Sequence, residues 1–114
     1  MEIDIREKDS VKIVDLKGEV DLYNSPSLRA KFSNLLKKKE KAILINLKQV
    51  SYIDSSGLAT FVELLQKMSA YGGRLKLSGL GRSIRNVFEV SRLDGVFSIL
   101  DSEADALKSF EGVS

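Results

Sequence analysis

The sequence predicts an α/β protein built on a mixed, mostly parallel central sheet of about five strands, opened by a β-hairpin and flanked by four helices. Three observations carry that expectation. After an opening pair of strands, segments of period-two and helical periodicity alternate along the chain. Residues 42–47, Ala-Ile-Leu-Ile-Asn-Leu, are almost continuously apolar, the mark of a strand covered on both faces. Ser-Pro, Asp-Ser and Gly-Gly pairs stand at the joints, where helix starts and stops belong.

Taken in order, Ile3 and Ile5 alternate with charged neighbours, and Asp9-Ser10 offers a turn into a second strand over 11–17 that Gly18 ends. Ser25 then acts as an N-cap with Pro26 at the first helical position, and Leu28, Phe32, Leu35 and Leu36 share one helical face. The buried strand over 41–47 extends through Val50. Beyond it, Leu58, Phe61, Val62, Leu65 and Met68 form the core stripe of a second helix, which leaves Leu64 and Lys67 on an outward face as candidate partner-binding residues. Gly72-Gly73 supplies a left-handed cap to that helix. Leu75 and Leu77 alternate with polar residues as a fourth strand, and Ile84, Val87 and Phe88 mark a third helix. Residues 96–100 form the last strand, and Asp101-Ser102 caps a short helix through Leu107.

Composition limits what such a chain does. At 114 residues it is expected to be one domain, 1–114. No apolar run approaches the length of a membrane span and no secretory signal opens the chain, so a cytoplasmic protein without direct membrane insertion is expected. The sequence has no Cys and no His, which excludes Cys-based metal sites and the usual Ser-His and Cys-His nucleophile pairs. A net charge of +2 with one short basic run, Lys37-Lys38-Lys39, reads as a solvated helix end and not as a nucleic-acid surface. Gly79-Leu80-Gly81 lacks the third glycine of a dinucleotide fingerprint and the Gly-Lys-Ser/Thr ending of a phosphate loop, so it reads as a tight turn. No cofactor, no metal and no enzymatic activity are expected. With no exposed apolar stripe, a monomer is the default.

The chemically suggestive stretch is Asp54-Ser55-Ser56-Gly57, where the third strand gives way to the second helix. Asp and Ser are preferred N-caps, and a cap is one reading of it. The other is a phosphorylation site, because unpaired N–H groups and the positive end of the helix dipole favour a phosphate there.

Three features together resemble the STAS domain: this order of elements, Gly18-Glu19-Val20-Asp21 after the second strand, and Ile53-Asp54-Ser55-Ser56-Gly57-Leu58 before the second helix. More narrowly, the chain is similar to the single-domain anti-sigma factor antagonists (anti-anti-sigma factors) of bacteria. Gly72-Gly73, Leu93-Asp94-Gly95-Val96-Phe97 and residues 101–107 agree with that family, so the resemblance covers essentially the whole chain. It implies partner switching. The unphosphorylated antagonist binds an anti-sigma factor, a serine kinase with an ATP-binding fold, and frees the sigma factor; phosphorylation switches binding off, and a separate serine phosphatase restores it. The first serine of the motif, Ser55, would carry the phosphate, with Ser56 as the alternative or as a helper at the helix start. Asp21 would lie beside it on the kinase-facing surface with Asp54, Tyr23 and Asn24, and Gly57 would permit close approach either of a partner or of the sheet. The same fold also serves as an assembly subunit of lipid-import ABC transporters, the alternative reading.

Overall fold

A computed structural model describes residues 1–111. Nine elements follow one another in the expected order: β1 (Glu2–Lys8), β2 (Val11–Val20), α1 (Ser25–Lys37), β3 (Ala42–Ile53), α2 (Ser55–Ala70), β4 (Arg74–Ser78), α3 (Arg82–Val90), β5 (Ser98–Leu100) and α4 (Glu103–Phe110). The five strands lie in the spatial order β1-β2-β3-β4-β5. β1 runs antiparallel to β2, and the remaining neighbours are parallel. The last three residues of the expected 1–114 domain lie outside the described residues.

Local chemistry explains the joints. Asp9 and Ser10 both take positive φ (53° and 65°), the backbone of a two-residue turn whose twist matches its strands. Gly18 does not end β2. It adopts φ +104° where the β2–β3 register slips, so the strand bulges and continues to Val20. That extension carries β2 up to the end of β3, beside the start of α2. The N-cap of α1 is Asn24, one residue earlier than expected, and Ser25 is buried as the first helical residue. Gly73 N–H donates to the Met68 carbonyl and Gly72 N–H to that of Ser69, closing α2 through a left-handed Gly72 as expected. β5 is shorter than the expected 96–100. The Leu93 carbonyl accepts from both Val96 N–H and Phe97 N–H, so this backbone is committed to a turn, and Phe97 packs edge-on against Phe88 (centroids 5.7 Å apart).

The core has two parts. The larger joins Val14, Ile43, Ile45, Leu47, Leu75 and Leu77 of the sheet to Leu28, Phe32 and Leu35 of α1, Phe61, Leu64 and Met68 of α2, and Ile84 and Phe88 of α3. The smaller sets Ala106 and Leu107 of α4 on Val11, Ile13 and Leu44. One expectation fails here. Leu64 is 1% exposed and belongs to the core, not to an outward face. The stripe that meets core is Gly57, Phe61, Leu64 and Met68, flanked by Leu58 and Thr60. Val62 and Leu65 are only half-buried.

A polar bridge ties α4 to the hairpin. Arg6 holds Asp15 across the β1–β2 pair (Nε to Oδ2, 2.6 Å) and also pairs with Glu103 at the start of α4. Asn46 Nδ2 donates to the same Asp15 at 2.8 Å. The hydrogen bond from Arg6 holds both carboxyls, Asp15 and Glu103, below their ordinary values. A carboxyl lowered in the folded state stabilises the fold above its unfolded value, about 4, and that contribution is lost as pH falls through the lowered value. Thermal melts from pH 7 to pH 2 are therefore expected to show a falling Tm below about pH 4 that is shallower in Arg6→Ala.

Candidate functional site

The junctions β2–α1 and β3–α2 meet at one end of the sheet. Asp54 N–H donates to the Val20 carbonyl at 3.1 Å, which joins the two strand ends. Asp54 is the N-cap of α2, in extended backbone (φ −101°, ψ −175°). Its Oδ1 accepts from Gly57 N–H at 3.0 Å, satisfying one of the unpaired donors of the helix start. Its Oδ2 accepts from Leu22 N–H, also at 3.0 Å. One carboxylate thus caps the helix and tethers the neighbouring loop.

Asp21 organises that loop. Its Oδ1 accepts from Tyr23 N–H and Asn24 N–H, both at 3.0 Å, an Asx turn that leads into α1. Asn24 Nδ2 returns to the Glu19 carbonyl at 3.0 Å. With the loop's N–H groups held by Asp21 and Asp54, two apolar side chains project outward: Leu22 is 63% exposed and Tyr23 88%.

Ser55 is the first residue of α2 and is exposed, whereas Ser56 is half-buried. The Ser56 carbonyl accepts from Thr60 Oγ1 at 3.0 Å, which lets Thr60 be buried. Gly57 is buried and serves packing. A Cβ built there meets the Val20 carbonyl oxygen at 2.6 Å and Val20 Cγ1 at 2.8 Å, so the missing side chain allows α2 its close approach to β2. Gly57→Ala is expected to destabilise the protein by about 1–3 kcal/mol, measured by urea unfolding. Better helix propensity offsets at most about 1 kcal/mol, and the obstructing atom is a backbone carbonyl that already accepts from Asp54.

The site therefore brings together Asp21, Tyr23, Asn24, Asp54, Ser55 and Ser56, with Gly57 beneath them. Leu64 lies in the core, and Lys67 is twelve residues past Ser55, about 18 Å along the helix axis. Lys67 instead pairs with Glu63 (3.0 Å), which also meets Arg29 of α1 (3.2 Å). Leu22 was not singled out by sequence. The signal for it was an apolar residue between Asp21 and Tyr23 in a loop that its neighbours make polar. Among the described residues no cluster of acidic side chains is arranged to hold a metal ion. No helix among them is long and apolar enough to cross a membrane.

Comparison with known proteins agrees with this geometry. Residues 2–106 match the STAS domain. The anti-sigma-B factor antagonist of Bacillus subtilis is 33% identical over 97 residues, covering 85% of this chain and 88% of that protein. Among solved structures, the anti-sigma factor antagonist SpoIIAA in its unphosphorylated form superposes with a TM-score of 0.77 at 23% identity, covering 98% of this chain and all of that one (100%). The phosphorylated form of the Bacillus cell fate determinant SpoIIAA gives a TM-score of 0.76 at 25% identity, covering 96% of this chain and 100% of that one. A phosphorylated and an unphosphorylated protein thus share this fold equally well. On its motif, topology and relatives alike, the chain is a member of the STAS domain family, together with these anti-sigma factor antagonists.

Proposed function

We propose that this protein is an anti-sigma factor antagonist, a cytoplasmic, non-enzymatic binding protein controlled by phosphorylation of Ser55. Unphosphorylated, it binds an anti-sigma factor that is also a serine kinase with an ATP-binding fold, and so frees the sigma factor. Phosphorylation of Ser55 by that kinase switches binding off, and a serine phosphatase restores it. The observation that carries this reading is an exposed serine on the first residue of a capped helix, set beside a loop that displays Leu22 and Tyr23.

The geometry supports a switch that acts through the surface. A phosphate brings about −1.5 to −2 charges and three acceptor oxygens. At a helix N-terminus the dipole favours it by about 0.3–1 kcal/mol, so α2 persists. The added charge lies next to the Asp54 carboxylate, which already holds both Gly57 and Leu22. Repulsion there loosens the tether on Leu22, while the phosphate occupies the surface a partner would cover. Ser55 is the acceptor in preference to Ser56 because its side chain is the exposed one of the pair.

The test is a pull-down from cytoplasmic extract with the native chain, Ser55→Ala and Ser55→Asp, read by mass spectrometry. A kinase-fold anti-sigma factor is expected with the native chain and Ser55→Ala and is lost with Ser55→Asp. Retention of transporter ATPase subunits by all three forms would overturn the reading.

A further inference from the structure

β1 is an edge of the sheet, seven residues long, and six of those seven are exposed. The opposite edge, β5, has only three residues. A long open edge exposes a row of backbone donors and acceptors on which another strand can pair, and charges along an edge ordinarily discourage that. Here the charges do the reverse for one partner. The strand reads Glu2-Ile3-Asp4-Ile5-Arg6-Glu7-Lys8. Laid antiparallel on a second copy of itself about Ile5, it sets Glu2 opposite Lys8, Asp4 opposite Arg6 and Ile5 opposite Ile5. Acidic residues fill the first half and basic residues the second half of one face, so the Glu2–Lys8 pairs at both ends are attractive, while Arg6 already holds Asp15 and Glu103.

We propose that β1 is a self-association surface whose partner is a second copy of this chain, joined edge to edge in an antiparallel dimer with its two-fold axis at Ile5. Directly opposed residues in such a pair lie about 4.5–5.5 Å apart between Cβ atoms, close enough for the charge pairs to act. Ile5, 41% exposed on the isolated chain, gains an apolar contact at the axis. Glu2, Asp4, Arg6 and Lys8 alternate with Ile3 and Ile5 and so share the face on which Arg6 already meets Asp15 and Glu103. Asp4 of the second copy joins that group, and Lys8 gains Glu2. The sheets of both copies then run on as one. Because the two-fold reverses strand direction, the Ser55 sites fall at opposite ends of the joined sheet and both stay open. A single strand pair is a small interface, so the association is weak, with a dissociation constant on the order of 0.1–1 mM. The monomer expected from sequence is the dilute form.

A charge-swap cycle tests this. Glu2→Lys places like charges at both ends of the pairing, and so does Lys8→Glu. Mixing the two variants restores attraction at both ends. Both positions are exposed, so the variants are expected to fold, which circular dichroism checks. In sedimentation equilibrium at about 1 mM, the native chain is expected to show dimer, each variant alone to associate about tenfold more weakly or less, and the equimolar mixture to recover native association. Amide exchange should slow in β1 of the native chain as concentration rises. A native chain that stays monomeric at this concentration overturns the proposal. So does a dimer indifferent to either substitution, or a mixture that stays monomeric.

Discussion

Phosphorylating Ser55 is expected to weaken binding to the cognate anti-sigma factor by roughly thirty-fold to several-thousand-fold while leaving the fold intact. The figure follows from the cost of disrupting a close interfacial charge arrangement, roughly 2–5 kcal/mol, at about 1.4 kcal/mol per decade. Ser55→Asp carries one charge in place of nearly two and lacks the phosphate's bulk, so it falls toward the lower end of that range. Ser55→Ala keeps the affinity and removes the switch. Isothermal titration with the purified partner separates these outcomes, and urea unfolding of the same three proteins checks the second half of the statement. Ser55 is exposed and packs in no core cluster, so removing or charging its side chain takes no apolar contact from the fold. The favourable dipole term and the repulsion from Asp54 oppose one another, and each is about 1 kcal/mol or less at an exposed helix end. Affinity changes and stability does not. Equal losses in both would place Ser55 in the folding core and sink the switch.

Where the sequence was legible, the reason was periodic chemistry with one dominant consequence. The apolar run over 42–47 reads only as a covered strand, and β3 lies between β2 and β4 with Ile43, Leu44, Ile45 and Leu47 fully buried. Asp9-Ser10 declares its turn as a short polar pair between two alternating strands, and Gly72 takes the positive φ that glycine adopts without a Cβ clash. The motif was equally plain: Asp54 is the cap that its position suggests, and Ser55 is the exposed first residue of α2. What stayed hidden depended on contacts between elements distant in sequence. Gly18 looked like a terminator because a glycine ends many strands, but β3 holds its neighbours on both sides and the strand bulges through it. The placing of Leu22 depends on a bond from its backbone N–H to Asp54, thirty-two residues away. The packing role of Gly57 depends on the Val20 carbonyl, thirty-seven residues earlier in the chain, which no local pattern displays.

Leu64→Ala is expected to cost about 2–5 kcal/mol, the range for emptying a buried leucine site, whereas Lys67→Ala, three residues on, changes stability by about 0.5 kcal/mol or less. The contrast tests how α2 is rotated on the sheet. Its apolar residues, Leu58, Phe61, Val62, Leu64, Leu65 and Met68, cover more than one face, and apolar spacing alone cannot say which edge of that band turns inward. Gly57 and Thr60 decide it. Gly57 has no side chain to hold α2 away from β2, and Thr60 can be buried because its hydroxyl finds the Ser56 carbonyl. Bringing those two small residues in carries Leu64 toward α1, where it lines a groove with Phe32 and Leu36, and moves Val62 and Leu65 to the margin. Phe32 meets Phe61 at 6.2 Å between ring centroids alongside it. Lys67 keeps only exposed charge contacts through Glu63, which contribute little in water. Urea midpoints at pH 7 read both variants against the native chain. Equal, small effects would mean that α2 is rotated to put the Val62 and Leu65 edge inward, and the close approach at Gly57 would have to be abandoned with it.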